Sequence, residues 1–289
     1  MASSPAAPWA ELETDCLVEV FRRLELDEVA TAVPSLVCRG WRRAAGDPSL
    51  YRSLDLRRDH LARFMPWSPL AAAFARLHAV RRFTFSGFLR LCLSRSSSSL
   101  SSLSLPPLLS SSDLDLVAAS CPSLRRLSLP KLSPADESRL PDLIPMWPRL
   151  EHLELESKPA SSFPALAAAM AVHCPGLVGI RIASGSIKPE DAAAMAASMR
   201  RLRWICLDRC YLPRRELLAI LAGCGELREF TARGCVGFDE KDEEVIRRGA
   251  RIERFDIGGS RLLDEADAVV IDGGYCDGDG EDDSYVDVM

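Results

Sequence analysis

Cys206 and Cys210 stand four residues apart in "RLRWICLDRC" (201–210), with Trp204 and several arginines beside them. Two thiols at that spacing could be half of a metal site or a redox pair. The chain has ten cysteines (16, 38, 92, 121, 174, 206, 210, 224, 235 and 276), without a C-x-x-C pair. Its opening, "MASSPAAPWAELETD", lacks the basic flank and long apolar run of an export signal, so reduced thiols are expected. Histidines 60, 78, 152 and 173 are scattered, and no H-E-x-x-H, G-x-S-x-G or G-x-x-x-x-G-K motif occurs. "DGDGEDDSYVDV" (277–288) opens like a calcium loop, but Asp282 stands where a glycine is needed and Val288 where a glutamate is. No catalytic residues, metal ligands or cofactor are expected.

The net charge of −5 is concentrated at the C-terminus. Asp272, Asp277, Asp279, Glu281, Asp282, Asp283 and Asp287 fall in a stretch without Lys or Arg; without these seven, 34 acids face 36 bases. No nucleic-acid footprint follows from that balance. No apolar run of about 18 residues indicates a membrane span. The chain is expected to act inside the cell, in nucleus, cytoplasm or both.

The thiols must be positioned by something, and the spacing around them recurs. "LRRLSL" at Leu124, "LEHLEL" at Leu150, "LVGIRI" at Leu177, "LRWICL" at Leu202, "LREFTA" at Leu227 and "IERFDI" at Ile252 follow one another at intervals of 26, 27, 25, 25 and 25 residues. "LSSLSL" at Leu100 and "VRRFTF" at Val80 fit less regularly, and "YRSLDL" at Tyr51 is a candidate start. Alternation inside each hexamer makes a short strand with one apolar face. Between hexamers, "PALAAAMAVHC" (164–174), "PEDAAAMAASM" (189–199) and "PRRELLAILAGC" (213–224) read as helices opening on proline. No such unit buries its apolar face alone, so the units are expected to stack into an α/β solenoid of about seven or eight repeats. Its parallel sheet would be concave and its helices convex. "SRSSSSLSSLSLPPLLSSS" (94–112) is expected to hold a strand near Leu103 and Leu105 between mobile flanks.

In each hexamer the third and fifth residues face away from the core. Arg126, His152, Arg181, Trp204, Glu229 and Arg254 are the candidate residues for contacting a target protein. Trp204 is either open to a partner or covered by neighbouring loops of its own chain.

These hexamers resemble the leucine-rich repeat family over roughly residues 77–260, in the cysteine-containing subclass. The resemblance implies an Asn or Cys at the ninth repeat position that bonds to backbone in the following turn. Cys210 and Cys235 occupy it, whereas Leu132, Lys158, Gly185 and Ser260 depart from it, so irregular turns are expected there. Cys121, Cys174 and Cys224 recur three residues before the hexamer, as small buried apolar residues would.

Residues 9–51 carry no repeat. In "TDCLVEVFRRL" (14–24), Leu17, Val20, Phe21 and Leu24 fall on one helical stripe. "DEVATAV" (27–33) reads as a second short helix, and "PSLVCRGWRRAA" (34–45) as a third with Val37, Trp41 and Ala45 on one face. Leu12, Leu17, Val20, Phe21, Leu24 and Val29, then "VCRGW" (37–41) and Leu50-Tyr51, resemble the F-box, although Leu12-Glu13 replaces the usual Leu-Pro. "WAEL" and Val33-Pro34 are similar to a plant subgroup. The resemblance implies that Leu12, Leu17, Val20, Phe21, Leu24, Val29, Val37 and Trp41 bind a SKP-type adaptor and, through it, cullin and RING subunits. The chain would then be the substrate-recognition subunit of an SCF-type ubiquitin ligase, without catalysis of its own. The alternative is a leucine-rich scaffold or inhibitor whose first helices only cap the solenoid. The expected organisation is a disordered 1–8, an F-box over 9–51, a solenoid over 52–263 and an acidic, largely disordered tail over 264–289.

Overall fold

The computed structural model describes residues 12–26, 28–32, 37–96 and 98–263. The two end segments expected to be disordered, 1–8 and 264–289, lie outside the described residues. The chain opens with α1 (Thr14–Phe21), a π-helical turn (Glu28–Ala32), α2 (Arg39–Ala45) and a 3-10 turn (Pro48–Tyr51). Strand β1 (Ser53–Asp55) follows, then α3 (His60–Arg63), α4 (Pro69–His78) and α5 (Phe85–Ser96). From β2 (Ser102–Ser104) strands and helices alternate: α6 (Ser111–Ser120), β3 (Arg126–Leu129), α7 (Pro134–Leu143), β4 (His152–Leu155), α8 (Phe163–His173), β5 (Gly179–Ile182), then β6 (Gly185–Ser186) and α9 (Pro189–Ser198). The last units are β7 (Trp204–Leu207), β8 (Cys210–Tyr211), α10 (Arg214–Gly223), β9 (Glu229–Thr231), α11 (Glu243–Gly249) and β10 (Arg254–Asp256). Among the described residues no helix is long and apolar enough to cross a membrane.

Eight strands form one parallel sheet in the order β1-β2-β3-β4-β5-β7-β9-β10. Register is strict: Leu54, Leu103, Leu127, Leu153, Ile180, Ile205, Phe230 and Phe255 pair in sequence, so the fourth hexamer position makes one apolar column. All but Phe255 are at most 1% exposed. Burial of each such side chain contributes about 1.5–3 kcal/mol, which is why one repeat alone is unstable and a stack is not. Strands sit about 4.8 Å apart and packed helices about 8–10 Å, so the sheet takes the inside of the curve.

Three sequence expectations need correction. "VRRFTF" at Val80 is not a strand: β2 pairs directly with β1, and Phe85 opens α5. Thr84 turns the chain, its Oγ1 accepting from the Gly87 N–H at 3.1 Å, and the alternating phenylalanines go elsewhere. Phe83 and Phe85 join Phe64, Phe74 and Phe88 in an aromatic knot with centroids 5.1–6.4 Å apart. Second, the serines of 94–112 are not merely loose flanks. Ser94 and Ser96 bond back to Leu91 and Leu93 carbonyls within α5, and Ser110 forms a capping box with Asp113 that starts α6.

Third, the ninth-position turn at Ser260 is regular. Cys235 Sγ donates to the Leu207 carbonyl at 2.8 Å and Cys210 Sγ reaches the Ile182 carbonyl at 3.7 Å, each the sixth hexamer position of the preceding repeat. Ser260 Oγ donates to the equivalent Ala232 carbonyl at 2.8 Å, so a hydroxyl does the same work as the thiols. Lys158 uses a different device. Its Nζ lies 2.8 Å from Asp191 Oδ2 with both side chains 2% exposed, and it also donates to the Pro159 carbonyl. Gly185 sits beside it at φ +132°, where a Cβ would stand 2.8 Å from the Lys158 Cβ, so both conformation and space demand glycine. Beyond these turns β6 and β8 form a second, two-stranded parallel ladder.

The N-terminal helices are docked on the solenoid rather than hung from it. Tyr51, fully buried, donates to the Ala45 carbonyl at 2.9 Å. Arg95 of α5 donates from Nη1 to Tyr51 Oη at 2.7 Å and to the Ala30 carbonyl at 3.3 Å. One guanidinium thereby ties both halves of the N-terminal module to the first convex helices.

Candidate functional site

Two surfaces can hold a partner. The first is the outer face of the N-terminal module, where the expected adaptor-contacting residues divide. Leu17 (1% exposed), Phe21 (1%) and Val29 (3%) are sealed in the chain's own core, so their side chains are not open to a partner in this structure. Phe21 meets Trp41 edge-on at 5.4 Å, and Trp41 is half-buried against the same core. The reason is rotational: Val18, 6% exposed, completes the inward stripe with Leu17 and Phe21, and Val20 is turned outward. Leu24 lies beyond the end of α1. What remains open is Leu12 (36%), Val20 (42%), Leu24 (36%) and Val37 (50%), with exposed Cys16 on the same side four residues before Val20.

The second surface is the concave sheet. Register places the third hexamer positions in one row across the strands: Ser53, Ser102, Arg126, His152, Gly179, Trp204, Glu229 and Arg254. Five of the six candidate target-contacting residues therefore share a row, and Arg181 stands in the neighbouring fifth-position row. Trp204 leans toward His152, ring centroids 5.9 Å apart at 63°, over the space Gly179 leaves vacant. A Cβ on Gly179 would stand 2.7 Å from Trp204 Cε3 and collide with the His152 ring. Trp204 is thus half-covered, by a residue of the same row and not by a loop. Burial, and then the Arg126 charge, push the His152 pKa below its ordinary value. Glu229 and Arg254 spend their charges on each other at 3.6 Å, and Arg181 approaches Asp208 at 3.8 Å.

Arg57, just after β1, was missed by sequence reasoning. Its guanidinium spans the N-terminal end of the sheet, donating to Ser128 Oγ at 3.0 Å and pairing with Asp55 at 3.3 Å and Glu154 at 3.6 Å. It separates two shallow hollows of about 260 and 230 Å³, the first walled by Leu105, Pro107 and Leu155, the second by Ser53, Ser102 and Arg126. Extending the hexamer template to Tyr51 would have placed Ser53 and Asp55 in the rows, but nothing local marks an arginine that reaches two and three strands away.

The opening pair of thiols is not a pair. Cys206 lies in the outward row and bonds Asp208 at 3.1 Å, whereas Cys210 is turned into the core. Burial pushes the thiols of Cys121 and Cys206 up to about 12 and those of Cys174, Cys224 and Cys235 up to about 11. Thiols held protonated in this way are poor nucleophiles and poor metal ligands. Among the described residues no group of three His, Cys, Asp or Glu side chains could hold a metal ion.

An F-box-like family model matches residues 9–57, which is the docked helical module together with β1. Similarity to an F-box/LRR-repeat protein of Arabidopsis thaliana extends over 264 residues at 27% identity, covering 86% of this chain and 82% of that one. The chain thus carries an F-box-like module and is similar over most of its length to plant F-box/leucine-rich-repeat proteins. The F-box protein FBW2 of the same plant is 27% identical over 234 residues, 78% of this chain and 68% of the relative. In this chain the F-box-like module and the repeats are joined through Tyr51 and Arg95 into one continuous core.

Proposed function

We propose that the protein is the substrate-recognition subunit of an SCF-type cullin-RING ubiquitin ligase. The outer face of its F-box binds a SKP-type adaptor, which brings cullin and RING subunits. The concave sheet holds a target protein inside the cell, and the chain makes and breaks no bonds itself. Joining the two surfaces on one chain raises the local concentration of target lysines near the conjugating enzyme.

The observation that carries this reading is the set of apolar side chains left exposed on the F-box: Leu12, Val20, Leu24 and Val37. The burial of Leu17, Phe21 and Val29 favours the alternative in part, since a cap also buries its inner face. A cap that served only to close the solenoid would have a polar outer face, whereas this one carries four exposed large apolar side chains among its charged residues. Co-purification with a SKP-type adaptor tests the reading. Val20→Asp with Leu24→Asp is expected to abolish capture while the melting temperature is kept. Leu17→Asp with Phe21→Asp is expected to unfold the module instead and so does not probe the interface. Undiminished capture by the Val20/Leu24 variant would show that the face is wrongly assigned, and no capture by the unaltered chain would favour the cap.

A further inference from the structure

On the two outward rows of the concave sheet, the cations are Arg126, Arg181 and Arg254. Arg254 is matched by Glu229 and Arg181 by Asp208. Arg57, which reaches over the same face, is matched twice, by Asp55 and Glu154. Arg126 is exposed and has no ion-pair partner among the described residues. The same row continues through His152 and the notch at Gly179 to Trp204, a half-covered indole with one face supplied by this chain. On the other side of Arg126 the row falls to the small Ser102 and Ser53, which leaves open floor around the guanidinium.

We infer that an extended segment of the target protein lies across the strands along this row, placing a carboxylate on Arg126 and a large apolar side chain against Trp204. The spacing is set by the sheet. Arg126 and Trp204 are three strand steps apart, about 14 Å at about 4.8 Å per step, and an extended peptide covers that in about four residues at about 3.4 Å each. The recognised pattern is therefore an acidic residue and a large apolar or aromatic residue four positions apart. The charge match supplies the register and the buried ring contact the affinity, the usual division at interfaces. Glu229 and Arg254, already neutralised, contribute shape beyond Trp204 rather than charge.

This inference rests on the reading of the concave sheet as the target-binding side. It is tested by fluorescence polarisation with labelled nonapeptides and the full chain co-purified with its adaptor. Peptides carrying Glu-x-x-x-Phe in a Ser/Ala background are expected to bind at least tenfold more tightly than Gln-x-x-x-Phe, Glu-x-x-x-Ala or Glu-x-Phe peptides. Arg126→Glu is expected to lose the Glu-x-x-x-Phe peptide and to prefer Lys-x-x-x-Phe. Gly179→Ala, which forces the His152 and Trp204 rings apart, is expected to weaken every Phe-containing peptide. Binding without a spacing preference, or unchanged by Arg126→Glu, would overturn the inference while the co-purified adaptor leaves the ligase reading standing. Charge-swapped binding by a chain that captures no adaptor would sustain the inference and overturn the ligase reading.

Discussion

The two ends of the solenoid are held together by different means. From β3 to β10 the strands recur every 25 to 27 residues, and the turns after the last three, β7, β9 and β10, are pinned by Cys210, Cys235 and Ser260 into the preceding repeat. From β1 to β2 the interval is 49 residues, from Ser53 to Ser102, and the extra chain forms a phenylalanine knot. The repeats solve a local problem again and again, each thiol or hydroxyl satisfying one carbonyl. The N-terminal end solves a single long-range problem, seating a small F-box that cannot bury its own core. Regularity marks where a repeat supports only its neighbours, and its loss marks where a second module is attached.

That contrast can be broken at several points. The largest effect is expected from alkaline pH. Burial raises the thiol pKa values in the fold to about 11 or 12 at Cys121, Cys174, Cys206, Cys224 and Cys235, from an ordinary 9.0. The stability these protonated thiols represent is complete below pH 9 and is lost as pH rises from 9 toward 11. Each costs about 1.4 kcal/mol per pH unit once the unfolded chain has ionised. Several act together in the repeats, whereas the F-box end has Cys92 as its one fully buried thiol among the described residues. Burial pushes the Cys92 thiol up to about 12 as well, so denaturant melts under reducing conditions at pH 8 and pH 10 should show the repeats losing several kcal/mol and the knot, with its single thiol, losing about 1 kcal/mol.

Phe88→Ala comes next. Phe88 is fully buried against Phe64, Phe74 and Phe83, and its truncation is expected to cost about 3–5 kcal/mol. Loss of adaptor capture together with intact melting of the later repeats would show that the knot serves the F-box. Lys158→Met strands the Asp191 carboxylate in the core and is expected to cost about 3 kcal/mol, with Asp191→Asn in the same chain restoring much of it. The smallest effect is at a single pin. Cys235→Ala removes one bond to the Leu207 carbonyl and is expected to cost about 1 kcal/mol in urea melts. Cys235→Ser should be close to neutral, because Ser260 already makes the equivalent bond.

The periodic half of the fold was legible because its cause is local. Alternation within "LRWICL" sets a strand, and proline-led runs set the helices between. The row of Arg126, His152 and Trp204 followed directly, since a fixed period fixes register. What escaped was decided at long range. "VRRFTF" alternates like a strand, and the phenylalanines drawn in from α3, α4 and α5 settled the matter. Leu17, Val20, Phe21 and Leu24 share a stripe on paper. The docking of α1 against α2 and Trp41 rotates Val18 in and Val20 out, which no single-helix pattern states. Lys158 looked like a defect in the repeat because its counterion lies 33 positions on, at Asp191.

We propose a division of surfaces, with the F-box meeting the ligase through its outer face and the concave sheet free for a target. Hydrogen–deuterium exchange of the chain with and without a purified SKP-type adaptor reads that division directly. Slowed exchange confined to residues 12–24 and 37–45, with β1 to β10 unchanged, is the predicted result. Slowing along the concave strands, or none in α1 when the adaptor is bound, would contradict it.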